Sequence, residues 1–100
     1  MLAEFSVTPL DRGGKGLGPL VAESLAIVRR SGLTHQLCPM GTVVEGSLDE
    51  VFAVIKACHE NMLRHSERVS TSIKIDDRKG SGGRLAGKVA SVEAALAEKG

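Results

Sequence analysis

Two segments of strict alternation near opposite ends of the chain limit what it can fold into more than any other feature. From Ala3 to Pro9, the residues Ala3, Phe5 and Val7 fall on one side and Glu4, Ser6 and Thr8 on the other. Late in the chain Val69, Thr71, Ile73 and Ile75 alternate with Ser70, Ser72, Lys74 and Asp76. A period of two residues is that of a β-strand with one dry face and one wet face. Each such strand needs apolar cover on its dry side, and the intervening sequence has the pattern to provide it.

The loop Asp11-Arg12-Gly13-Gly14-Lys15-Gly16-Leu17-Gly18 ends at Pro19, a residue suited to the first position of a helix because its missing amide is not needed there. A helix is expected to about Arg30, with Val21, Leu25 and Val28 on one face and Arg29, Arg30 and Gly32 as stop signals. Strands are expected over Thr34–Cys38 and Thr42–Glu45, joined through Pro39-Met40-Gly41 as an antiparallel hairpin. Ser47 followed by Glu50 has the spacing of a capping box, and the helix it opens carries Val51, Ile55, Cys58 and Met62 along one stripe. After the last strand, Lys79-Gly80-Ser81-Gly82-Gly83 leads into a helix with Leu85, Val89, Val92 and Leu96 on one face. The order is β-α-β-β-α-β plus a C-terminal helix, which predicts an α+β, ferredoxin-like sandwich: a four-stranded antiparallel sheet with two helices on one face. The other face then presents Glu4, Ser6, Thr8, Ser70, Ser72 and Lys74, either as an ordinary wet surface or as a contact for a subunit or ligand.

A chain of 100 residues is expected to form a single domain over 1–100. Its aromatic residues are Phe5 and Phe52, so Leu, Ile, Val, Ala and Met must fill the core, and association between subunits is a reasonable supplement. A net charge of +1 without a long basic face argues against nucleic acid as a partner. No apolar run approaches the roughly 20 residues of a membrane span, and the first residues lack the pattern of a secretion signal, so a cytoplasmic location without membrane contact is expected. Cys38 and Cys58 do not make a disulfide framework or metal motif and are read as core thiols.

The glycine loop from Gly13 to Gly18 matches neither nucleotide fingerprint, since Lys15 is followed by Gly16 and no parallel β-α-β unit surrounds it. It reads as a flexible loop, with weak anion binding as the alternative. His35, His59 and His65 lack ligand spacing, so no metal is expected. Adjacent Cys58 and His59 cannot both face the core, and no other nucleophile arrangement is present, so no catalytic residue is assigned and the protein is expected not to be an enzyme. Asp76-Asp77-Arg78 is either a solvated turn or, together with Glu45, Ser47 and Glu4, a cluster able to hold a cationic or amine-bearing ligand.

The runs Pro39-Met40-Gly41-Thr42-Val43-Val44-Glu45-Gly46, Asp49-Glu50-Val51, His59-Glu60 and Arg68 through Arg78 resemble the small thiamine-binding protein family, the formerly uncharacterised UPF0045/DUF77 type. Ser6-Val7-Thr8-Pro9-Leu10 and Lys88 to Glu93 extend the resemblance over nearly the whole chain. It implies a ferredoxin-like fold, assembly into dimers or tetramers, and non-catalytic binding of thiamine or hydroxymethylpyrimidine as a ligand rather than a cofactor. The ligand-binding residues it implies are Met40, Gly41, Thr42, Glu45, Asp76 and Ser6. At the start of the first helix the chain has Gly18, Pro19 and Leu20 where relatives often place serines and an aromatic. The alternative role is an oligomeric interaction module with a vestigial pocket; an enzyme acting on a phosphorylated metabolite through Asp76 or Arg78 is a more distant third.

Overall fold

A computed structural model describes residues 1–12, 16–80 and 84–99. Its elements are β1 (Leu2–Pro9), α1 (Leu17–Ser31), β2 (Thr34–Cys38), β3 (Gly41–Glu45), α2 (Leu48–Leu63), β4 (Val69–Asp76) and α3 (Arg84–Lys99). The sheet order is β2-β3-β1-β4, with every neighbouring pair antiparallel, which is the ferredoxin-like arrangement. β1 is central. On one side Phe5 lies opposite Thr42, and on the other it lies opposite Ile73, with Ala3 opposite Val44 and Ile75.

That register turns Ala3, Phe5 and Val44 toward the helices, where they meet Val28 of α1 and Val51, Val54, Ile55 and Cys58 of α2 in one core. The stripe expected on α2 is buried throughout, and Ser47 caps this helix as expected. Its hydroxyl accepts from the Glu50 amide at 3.2 Å, while the Glu50 carboxylate accepts from the Ser47 amide at 3.0 Å. Hydrogen bonds from the Ser47 amide, then its hydroxyl, hold the Glu50 carboxyl below its ordinary pKa. The polar face also forms as expected, Glu4 lying opposite Lys74, Ser6 opposite Ser72 and Thr8 opposite Ser70.

Four local expectations need correction. α1 begins at Leu17, so Pro19 sits inside the first turn; amides of that turn have no intrahelical acceptor, and a proline is tolerated there. Its most buried residues are Leu20 and Val28, whereas Val21 is exposed. Two apolar stripes compete in this sequence, and packing against α2 selects the one through Leu20, Ser24 and Val28. Cys38 is not a core thiol: it ends β2, an edge strand, on the row that faces away from the core and is only half-buried. Ile73 and Ile75 do face the helix side, yet each remains 42% exposed, because α2 reaches β4 at Thr71, through His59, without covering these two side chains. The glycine-loop residues 13–15 and turn residues 81–83 lie outside the described residues.

Gly32 closes α1 in the left-handed region at φ 75°, its amide donating to the Arg29 carbonyl. Among the described residues no helix is long and apolar enough to cross a membrane.

Met62 is almost wholly buried, so Met62→Ala is expected to lower stability by about 2–5 kcal/mol in urea unfolding. Ser47→Ala, which removes the α2 cap, is expected to cost about 1 kcal/mol in the same measurement.

Candidate functional site

A cavity of about 350 Å³ opens where the second half of β1, the β2–β3 turn and the first turns of α1 converge, with Met62 of α2 also contributing to its lining. Thr42 faces into the helix side because it lies opposite Phe5, and Leu37 joins it from β2. Leu20, Val21 and Ser24 form the α1 wall. The approach of β3 to β1 at this point demands a glycine: a Cβ on Gly41 would lie 3.0 Å from the Phe5 carbonyl oxygen.

The cavity brings together Ser6, Met40, Gly41 and Thr42 among the residues singled out in the sequence. Met40, at the hairpin tip, is 89% exposed and, like Ser6, also lines a smaller hollow beside Glu4, Ser72 and Lys74. Glu45 and Asp76 are elsewhere. Both flank Leu2, at the opposite end of β1 from the cavity, and Glu45 lies across β1 from Asp76. The Asp76 carboxylate accepts from Lys88 of α3 at 2.6 Å. The acidic row is therefore real as a row, with Glu4 following Leu2 on the same face, but the cavity is not built from it.

Ser24, Leu20, Val21 and Met62 were not singled out in the sequence as site residues. A usable signal for Ser24 was present: it stands four residues after Leu20 and four before Val28, a hydroxyl in the middle of a buried stripe.

The described lining contains no Asp, Glu, Lys, Arg or His. Apolar walls with hydroxyl and main-chain groups suit an uncharged or weakly polar ring, and the volume lies within the range of small-molecule sites. Cys38, a free and half-buried thiol, also belongs to the described lining. Cys58 lies behind the cavity with its thiol directed to the Ser24 carbonyl at 3.6 Å, and burial pushes its pKa up to about 11. His59 is turned to another element, its Nδ1 lying 2.6 Å from the Thr71 hydroxyl. Among the described residues no group of His, Cys, Asp and Glu could hold a metal ion.

The cavity's α1 wall is held by a clasp between distant loops. Ser66 donates to one oxygen of Asp11 and the Glu67 amide donates to the other at 3.0 Å. Arg12 donates to the His65 carbonyl at 3.3 Å, and His65 Nε2 lies 2.9 Å from the Glu23 carboxylate on α1. The Ser66 hydroxyl, followed by the Glu67 amide, lowers the Asp11 pKa from its ordinary 3.8. A lowered folded-state pKa stabilises fully above the unfolded value and less as the pH falls through the folded one. Asp11→Asn is accordingly expected to be less stable at neutral pH and to lose less stability than wild type below about pH 3.8, as read by urea midpoints across an acid series.

Fold and cavity together define a small α+β protein with a ligand-sized hollow at one end of its helix-covered sheet face. The chain belongs to the thiamine-binding protein family, whose sequence profile matches residues 3–93. A UPF0045 protein of Mycobacterium bovis is 44% identical over 94 residues, covering 93% of this chain and 91% of that protein. The crystal structure of a Methanocaldococcus jannaschii hypothetical protein superposes with a TM-score of 0.84 at 32% identity, covering 92% and 94% of the two chains. A candidate thiamine biosynthesis/salvage protein of Thermotoga maritima has a TM-score of 0.79 over 91% of this chain and 96% of its own; at 20% identity it supports the fold alone.

Proposed function

We propose that this protein is a non-catalytic, cytoplasmic, single-domain binder of thiamine or a related hydroxymethylpyrimidine, working as a homo-oligomer. The observation that carries the reading is the 350 Å³ cavity, with its apolar walls and polar groups, in a chain of the thiamine-binding family. In this reading the aminopyrimidine ring enters the cavity against Met40, Gly41, Thr42 and the Ser6 segment. A thiazolium, being permanently charged, stays toward solvent, because the described walls offer it no carboxylate. Glu45 and Asp76 then serve the far end of the sheet rather than the ring.

Self-association is supported by apolar surface the fold leaves uncovered. Ile73 and Ile75 on β4 are exposed, as are Leu48 and Phe52, which helical spacing places on the same side of α2 as His59. α3 carries Val89, Val92 and Leu96 exposed along one stripe. Surface of this kind commonly marks a contact with another chain. The second reading, an oligomeric interaction module with a vestigial pocket, takes these surfaces as the whole function.

Calorimetric titration with thiamine and with hydroxymethylpyrimidine separates the two. Saturable heat with either ligand is expected, and none at millimolar concentration removes the binding reading. Sedimentation equilibrium is expected to show a dimer or tetramer that Val92→Asp dissociates; a monomeric wild type removes the oligomer.

A further inference from the structure

The Ser24 hydroxyl is buried and has no hydrogen-bond partner among the described residues, although it belongs to the wall of the cavity. Its own carbonyl is occupied by Cys58, so the residue is fixed in place while its side chain is unused. A buried hydroxyl without a partner is unfavourable, and such groups in folded proteins are usually satisfied by something. Leu20, Val21 and Met62 line the cavity with it, and none of them can hydrogen-bond through its side chain to any useful extent. Across the cavity stands Thr42, on the inward row of β3. The helix wall thus has an unpaired hydroxyl at Ser24, closed to solvent in this structure, and the sheet wall has that of Thr42.

We propose that Ser24 is a specificity-determining residue that reads the polar edge of an uncharged heteroaromatic ring seated in this cavity, with Thr42 facing the ring from the sheet. The inference rests on the binding role proposed above and deepens it. A hydroxyl both donates and accepts, so it can pair with a ring nitrogen or with an exocyclic amine. It cannot balance a full charge, which directs the choice of ligand toward a neutral ring rather than a cation or a phosphate. A carbocycle of the same shape would fill the apolar walls equally well but leave Ser24 unpaired, and sites built this way reject such analogues.

The experiment is a cycle of two proteins and two probes, followed by calorimetry. The probes are hydroxymethylpyrimidine and a benzene analogue with the same methyl and hydroxymethyl groups. The proteins are wild type and Ser24→Ala, a change that suits a helix and is checked by thermal unfolding. Wild type is expected to prefer the pyrimidine, and Ser24→Ala to weaken pyrimidine binding about tenfold while leaving the benzene analogue unchanged. If Ser24→Ala binds the pyrimidine as tightly as wild type, or weakens both probes equally, the assignment of Ser24 is overturned and the binding role stands. If wild type binds neither the pyrimidine nor thiamine, the binding role falls and this inference with it.

Discussion

The double pairing of β1 is the constraint from which the rest of the structure follows. With β3 on one side and β4 on the other, Ala3 and Phe5 are fixed beneath the helices and Glu4 and Ser6 on the opposite face. A slip of one residue in either ladder would exchange those faces and place Glu4 in the core. Gly41 suits this register, since the β3 backbone comes so close to Phe5 that a side chain there would have to push the Phe5 carbonyl aside. The same closeness forms one end of the cavity. Register and site are thus two results of a single contact.

Much of the fold was legible because its signals are local. Alternation in β1 and β4 marked both strands and their inward rows, and the Ser47–Glu50 spacing marked the start of α2. The α2 stripe of Val51, Ile55, Cys58 and Met62 came from helical periodicity and is buried as read. α1 was less legible, since apolar residues at 20, 21, 25, 26, 27 and 28 allow more than one buried face, and only its packing partner decides. Exposure at Ile73 and Ile75 was not legible either. Period reports which way a residue points, not whether anything lies above it.

The site divided along the same line. Met40, Gly41 and Thr42 are contiguous, and their shared location followed from the hairpin. Glu45 and Asp76 required knowing which end of the strands the cavity occupies, a property of tertiary arrangement. Ser24 lies in an apolar stripe of a helix whose sequence allows more than one buried face. Its interest comes from an unmade hydrogen bond, which no spacing rule reveals.

The position of β1 also has a consequence for how the chain is born. Its partners on β4 are among the later residues to be made, Ala3 waiting for Ile75 and Phe5 for Ile73. At roughly 5–20 residues per second of synthesis, the first strand spends several seconds outside the ribosome with one edge open. During that interval its alternation of Glu4, Ser6 and Thr8 with apolar neighbours keeps half of the ribbon hydrophilic. A strand that must wait for its second neighbour is thereby made a poor template for strangers.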